Sequence, residues 1–164
     1  MFICPCHASY TDYSEVKSME AWQITPWPIL DMVIRLLIAA FLGGAMGYER
    51  EQAEKPAGIR TNILVCVGAT LFTVASIHGF GGLSDPARVA AGIVVGIGFI
   101  GAGTIIRRDA GVVTGLTTAA TIWVVAGVGL ALGCGLYILA LVTATITFVA
   151  LRLPHNKRKR TKQD

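Results

Sequence analysis

From Ile29 onward the sequence divides into five long apolar segments, and these segments most constrain the fold. They run about Ile29–Tyr48, Thr61–Gly79, Ala87–Ile106, Val113–Leu132 and Gly133–Leu151. A helix needs about 20 apolar residues to cross the hydrocarbon core of a bilayer. The last two segments together are too long for one crossing, so "LGCG" is expected to form a tight turn between them. The pattern predicts an all-α integral membrane helix bundle of about five transmembrane helices.

The composition agrees with a membrane protein. The chain of 164 residues, enough for one domain, is 54% hydrophobic and only 15% charged, whereas soluble domains carry about 25% charged residues. Its net charge of +4 is concentrated in the tail after Leu151. A basic run beside an apolar span is typical of a cytoplasmic flank, so we expect the lipid bilayer, and no nucleic acid, as a partner.

Lysine and arginine in the short connections predict the topology. The first connection holds Arg50, Lys55 and Arg60, the third holds Arg107 and Arg108, and the second and fourth hold none. Positive connections stay in the cytoplasm. With five spans, this places the N-terminus outside and the C-terminus in the cytoplasm.

The apolar segments and the distribution of charge divide the chain into three parts. Residues 1–28 are polar and are expected to be a poorly ordered lead-in, with Met19 as an alternative start of translation. Residues 29–152 form the transmembrane domain. Residues 153–164 form a basic cytoplasmic tail.

A dense group of charges separates the first two apolar segments. The stretch "GYEREQAEKPAGIRT" contains Glu49, Arg50 and Glu51 at its start and Arg60 and Thr61 at its end. The preference of basic residues for the cytoplasmic side explains the arginines and the lysine, but acidic residues have little influence on membrane orientation, so their density here is not explained by it. We interpret the stretch as a structured hairpin at the cytoplasmic mouth of the bundle, where it pairs internally or binds an ion or a partner.

Arg35 lies inside the first predicted span, where arginine is costly and marks a functional site by default. Asp31 precedes it by four residues, so the two side chains share one helix face and can pair. The alternative is an arginine that snorkels to the outer interface.

Two predicted spans carry polar faces at helical spacing. In lipid such groups need partners, so both faces are expected to point inward. Interhelical hydrogen bonding is the first interpretation and a hydrophilic path is the second. The members are Asn62, Cys66, Thr70 and Thr73 in the second span and Thr114, Thr117, Thr118 and Thr121 in the fourth.

Glycines recur at spacings that let membrane helices approach closely. The sequence "GIGFIG" matches a dinucleotide-binding pattern, but it lies inside a span without the required strand, so packing is the better interpretation. A cavity lined by backbone carbonyls is the functional alternative. The predicted packing residues are Gly43, Gly47, Gly92, Gly96, Gly98, Gly101 and Gly103.

Together these motifs strongly resemble the MgtC/SapB family of bacterial membrane proteins. The resemblance covers about residues 30–151 and rests on G-x-E-R, K-P-A-G-I-R-T, G-I-G-F-I-G-A-G and G-L-T-T-A-A-T-I-W in this order. Carried over by position, the family motif residues are Glu49, Arg50, Gly58, Arg60, Thr61, Arg88, Gly96, Gly98, Gly101, Gly103, Gly115, Leu116, Thr118 and Trp123.

The resemblance implies a multi-pass protein of the bacterial inner membrane. It also implies a link to growth in low magnesium and an action on other membrane machinery, including the ATP synthase. MgtC itself has a soluble domain after its last span. Only thirteen residues follow Leu151 here, so we expect the short, membrane-domain-only type.

Two functions stay open on these grounds. The first is a non-enzymatic regulator that binds another membrane protein, or a second copy of itself, during adaptation to low magnesium or acid stress. The alternative is a transporter or channel for Mg²⁺ or another cation. Acids near span midpoints would favour a carrier, and none is found there. No nucleophile–base set points to an enzyme, no cofactor is expected, and the sequence does not identify a metal site.

Overall fold

The computed structural model describes residues 28–79, 85, 87–107 and 113–153. The predicted lead-in, apart from Pro28, and the basic tail after Leu153 lie outside the described residues, as does the proposed start at Met19. The described part contains five helices and one short pair of strands. These are α1 (Pro28–Gln52), α2 (Ile59–His78), α3 (Ala87–Gly103), β1 (Ile106–Arg107), β2 (Val113–Thr114), α4 (Leu116–Gly133) and α5 (Tyr137–Arg152).

The prediction of an all-α membrane helix bundle is confirmed. Three helices, α1, α2 and α4, are long and apolar enough to cross a bilayer. The other two are apolar but shorter, with 17 residues in α3 and 16 in α5. Which end of the bundle faces the cytoplasm stays a prediction.

Helix α1 is longer than the apolar pattern predicts. It continues past Tyr48 through Gln52, so Glu49, Arg50 and Glu51 lie on its last turn and not in a loop. Charged residues are good helix formers, and the helix ends only where the chain turns at residues 53–58 ahead of α2. The charged stretch is therefore the end of one helix and the start of the next.

Helices α1 and α2 pack closely because two glycines of α1 face the backbone of α2. A Cβ built on Gly43 would lie 2.7 Å from the carbonyl oxygen of Asn62, and one on Gly47 would lie 2.6 Å from the Cα of Ile59. Any side chain at either position would push the helices apart.

Helix α4 occupies the centre of the bundle and contacts the other four helices. It is the most buried of the three long helices. Its Val125, Val128 and Leu132 pack with Met46 of α1 and Cys66 of α2 in the main apolar core. Helix α3, in contrast, packs mainly on α4 and touches α2 little.

Two connections differ from the predicted span limits. Helix α3 ends at Gly103, and Val113 and Thr114, predicted to begin the fourth span, pair with β1 instead. Both are β-branched, which favours a strand. Between α4 and α5 the predicted tight turn is present, with Gly135 in the left-handed region at φ 77°.

Candidate functional site

The charged residues of the first connection gather where α1 ends and where α2 and α4 begin. Arg50 is 95% buried, since only 5% of its surface is exposed. Its Nη2 donates to Thr118 Oγ1 in the first turn of α4, at 2.7 Å. Its Nε is buried and has no hydrogen-bond partner among the described residues. A charged group buried with incomplete hydrogen bonding is costly, so this arrangement requires an explanation.

Two acceptor atoms at the same end of the bundle are also unsatisfied. Glu49 is half-buried, and its Oε2 has no partner within the described part of the chain. Asn62 is fully buried, and its Nδ2 donates to the carbonyls of Ala57 at 2.7 Å and Gly58 at 2.9 Å. Its Oδ1 has no such partner. These oxygens could accept a bond from a ligand or from water.

The remaining charges of this end face outward or hold the turn. Glu51 caps α2 by accepting a bond from the amide of Ile59, at 3.1 Å from Oε2. Arg60 is exposed and Thr61 is half-buried. Ala57, in the turn, has φ 60°, a left-handed conformation that non-glycine residues rarely adopt.

Arg35 lies in a second polar cluster, near the opposite end of α1. It is buried, and its Nε donates to Asp31 Oδ2 at 2.6 Å. Its Nη1 donates to the carbonyl of Gly133 at 2.7 Å, and its guanidinium lies 5.9 Å from the ring centre of Tyr137. The Tyr137 hydroxyl in turn donates to Asp31 Oδ1 at 2.6 Å. Arg35 therefore does not snorkel; it joins α1 to the turn between α4 and α5.

The polar face of α2 points inward, and its hydroxyls are bonded within the bundle. Thr70 Oγ1 donates to the carbonyls of Cys66 at 2.9 Å and Gly129 of α4 at 2.8 Å. Thr73 bonds to the carbonyl of Ala69 in its own helix. On α4, Thr118 and Thr121 are buried and Thr117 is exposed, while Thr114 lies outside the helix.

Several predicted site residues lie apart from the Arg50 cluster. Arg88 is exposed on the first turn of α3. Gly101, near the other end of that helix, packs against Ala119 of α4, with 3.5 Å between a built Cβ and the Ala119 Cβ. Gly101 follows Arg88 by thirteen positions, which is about 20 Å along the helix. Arg88 is therefore at the opposite end of the bundle from Arg50.

The glycines of α3 do not all pack as predicted. A Cβ built on Gly92, Gly96, Gly98 or Gly103 would meet no described atom within 4 Å. The spacing rule identifies a surface that permits close contact, but it does not say whether the partner belongs to the same chain. Close packing against these four glycines stays a prediction, and among the described residues no helix supplies that contact.

A groove opens beside Gly92 and Gly96, between α2 and α3. Its volume is about 550 Å³, it is open on one side, and its walls are almost entirely apolar. Sequence reasoning did not find this groove, although the glycines in its wall were a signal. The lining residues are Leu64, Val65, Gly68, Ala69, Phe72, Val89, Gly92, Ile93, Gly96, Ile97, Ile100 and Ala126.

Within the described ranges, no three His, Cys, Asp or Glu side chains group closely enough to hold a metal ion. Glu49 Oε2 and Asn62 Oδ1 are buried oxygen atoms without a partner among the described residues. Carboxylate and amide oxygens are atoms of the kind that Mg²⁺ takes as ligands.

Comparison of the sequence with those of known proteins places this chain in a family. The MgtC family profile matches residues 36–159. The chain is 42% identical over 132 residues to "Putative magnesium transporter YhiD" of Escherichia coli K12, covering 76% of this chain and 61% of that protein. It is 41% identical over 124 residues to Protein SapB of Bacillus subtilis, covering 71% and 52%.

A third relative is Protein MgtC of Salmonella typhimurium LT2, 41% identical over 131 residues, which cover 80% of this chain and 55% of that protein. The chain thus spans roughly half to three-fifths of the length of these three relatives. No solved structure matches it. The family profile covers most of the chain and the bundle is that of a membrane protein, so this chain belongs to the MgtC family.

Proposed function

We propose that this protein is a non-enzymatic, multi-pass protein of the bacterial plasma membrane that modulates other membrane machinery in adaptation to low magnesium or acid stress. The observation that carries the proposal is the apolar groove between α2 and α3. We assign to it a transmembrane helix of another membrane protein.

Small residues make the groove suitable for a helix. Gly68, Gly92 and Gly96 lie in its walls together with Ala69 and Ala126. Transmembrane helices associate where small residues let their backbones approach, because burial from lipid gives little hydrophobic gain. The open space beside Gly92 and Gly96 leaves room for such an approach.

The interior polar groups also support a modulator. The Thr73 and Thr121 hydroxyls donate to carbonyls of their own helices. The Thr70 hydroxyl donates to the Gly129 carbonyl of α4, and Thr118 accepts from Arg50 of α1, so these two hydroxyls bond across helices. Hydroxyls bonded across helices hold the helices together. A water-lined ion path would instead leave such groups free to contact the ion.

The alternative, a magnesium or other cation transporter, has its own support. One relative carries that function in its name. In this chain, Glu49 Oε2 and Asn62 Oδ1 are oxygen atoms without a partner among the described residues. Both are atoms of a kind that binds Mg²⁺.

The groove can be tested by filling it. Gly96→Leu places a side chain in the groove, and Gly98→Leu is the matched control, because Gly98 also faces open space but does not line the groove. A photo-crosslinking residue at Ile93 reports what occupies the groove in cells grown in low magnesium. The same residue at Leu139, exposed on α5, reports background.

We expect one defined membrane protein to crosslink at Ile93 and not at Leu139. Gly96→Leu should abolish this adduct and slow growth in low magnesium, whereas Gly98→Leu should change neither. Adducts formed only with lipid, or an adduct and growth unaffected by Gly96→Leu, would contradict the proposal.

A further inference from the structure

The N-terminus of α4 lacks a side-chain cap. Its N-cap residue is Gly115, which has φ 94° and no side chain to accept a bond from the first turn. The first intrahelical bond runs from the Ala119 amide to the Gly115 carbonyl, at 2.9 Å. The preceding amides of the first turn have no acceptor within the helix, and they give this end of α4 a partial positive charge.

A buried guanidinium points at the same helix end. Arg50 reaches from α1 to Thr118, in the first turn of α4. It is 5% exposed, and its Nε has no partner within the described ranges. Within the described part of the chain, Arg35 forms an ion pair with Asp31, whereas Arg50 has no carboxylate oxygen in direct contact. A buried cation at the positive end of a helix is repelled by that helix, so a close anion would stabilise Arg50 there. Glu49, its neighbour on α1, attracts Arg50 but makes no direct N–O contact with it.

We propose that Arg50 and the first turn of α4 form a binding site for a phosphate oxyanion, supplied by the headgroup of an anionic phospholipid or by free inorganic phosphate. The planar guanidinium matches phosphate oxygens in a fork, and helix N-terminal amides bind the same group. Leu116 and Thr117 are exposed, so the helix end is open to a ligand. The positive-inside rule predicts that this end lies at the cytoplasmic surface.

The anion that neutralises Arg50 is either a bound phosphate or the neighbouring Glu49 of the same chain. Glu49 lies beside Arg50 on the last turn of α1, and its Oε2 is buried without a partner among the described residues. If Arg50 binds phosphate, the Glu49 charge opposes binding, and Glu49→Gln strengthens it. If Glu49 is instead the anion that Arg50 uses, the wild type binds neither probe, and binding appears only in Glu49→Gln. The inference does not depend on the groove.

The test uses the full chain, purified in detergent and in nanodiscs. The probes are inorganic phosphate, measured by calorimetry in detergent, and phosphatidylglycerol in phosphatidylcholine nanodiscs, measured by native mass spectrometry of retained lipid. Arg50→Gln removes the guanidinium, and Arg50→Lys keeps the charge without the fork. Arg60→Gln is the matched control, since Arg60 is an exposed arginine at the same end of the bundle.

We expect Arg50→Gln to weaken binding of one probe about tenfold or more, the loss of a charged hydrogen-bonding group. Arg60→Gln should leave affinity within about twofold, because exposed charges contribute little. Arg50→Lys carries the test if Arg50→Gln does not fold, and it should bind more weakly than wild type.

The arms distinguish the two sources of phosphate. Arg50-dependent calorimetric binding indicates free phosphate, and Arg50-dependent retention of phosphatidylglycerol alone indicates a headgroup. Absence of binding to both probes, equal binding by wild type and the Arg50 variants, or weaker binding in Glu49→Gln would overturn the proposal.

Discussion

The contact between α1 and α2 gives the sharpest stability prediction, through Gly43→Ala. The new Cβ would lie 2.7 Å from the Asn62 carbonyl oxygen, 2.9 Å from the Cys66 Cβ and 3.1 Å from the Ile63 Cα. Ordinary contact begins at 3.4 Å, so the closest approach is short by about 0.7 Å. All three are backbone or Cβ atoms of a packed helix, so none of them can turn aside. The helices must therefore separate.

The cost follows from two opposing effects. Overpacking of a close-packed contact costs about 1–3 kcal/mol. Replacing glycine by alanine within a helix returns about 0.5–1 kcal/mol. The difference between the two effects is a loss of about 0–2.5 kcal/mol. Because the overlap is with backbone atoms that cannot move aside, we expect Gly43→Ala to lower the free energy of unfolding by about 1–2 kcal/mol within that range. Gly92→Ala is the matched control, because its Cβ meets nothing within 4 Å. It should leave stability unchanged or raise it by about 0.5 kcal/mol.

Thermal unfolding in detergent measures the difference. Cys66 is fully buried, so a thiol-reactive dye reports its exposure when the other three cysteines are replaced by serine. For a chain of this size, the expected loss lowers the midpoint of Gly43→Ala by about 2–8 °C. A midpoint equal to that of Gly92→Ala would refute the reasoning, since it would mean that α1 and α2 are not in close contact.

Two further predictions concern the opposite end of the bundle. Arg35→Leu removes the cation that pairs with Asp31 and the donor to the Gly133 carbonyl, and leaves the Asp31 carboxylate with the Tyr137 hydroxyl. It should lower the free energy of unfolding by about 3 kcal/mol, measured by thermal or denaturant unfolding. The double variant with Asp31→Leu should recover part of this loss; equal stability of single and double variants would contradict the ion-pair account. Partial burial raises the pKa of the Cys134 thiol, against a smaller opposing effect of Arg35. Less thiolate is present at neutral pH than in a free cysteine, so maleimide labelling of Cys134 should be slow at pH 7 and speed up through pH 9; a rate independent of pH would contradict this.

Local rules predicted the parts of the structure that depend on one helix. Helical spacing placed Asn62, Cys66, Thr70 and Thr73 on one face, and all four are buried. The four-residue spacing of Asp31 and Arg35 allowed the pair that the structure contains. Both results follow from helix geometry alone.

Contacts between distant segments were beyond such rules. Arg35 bonds to Gly133, and Asp31 bonds to Tyr137, each about 100 residues later in the chain. Nothing in a single sequence links residues so far apart. The burial of Arg50 against Thr118 depends likewise on how α1 crosses α4. The charged stretch was assigned to a connection because it is polar, yet Glu49 and Arg50 are helical. Hydropathy indicates where the chain leaves the membrane, and the helix can continue beyond that point.

The most direct test of the proposed function is magnesium flux into proteoliposomes that contain only the purified, folded protein, beside a Glu49→Ala variant. A modulator of other machinery should show no saturable flux above empty liposomes in either case. Saturable magnesium uptake by the wild type that is lost in Glu49→Ala would contradict the account, and would make the protein a carrier whose charged end controls entry of the ion.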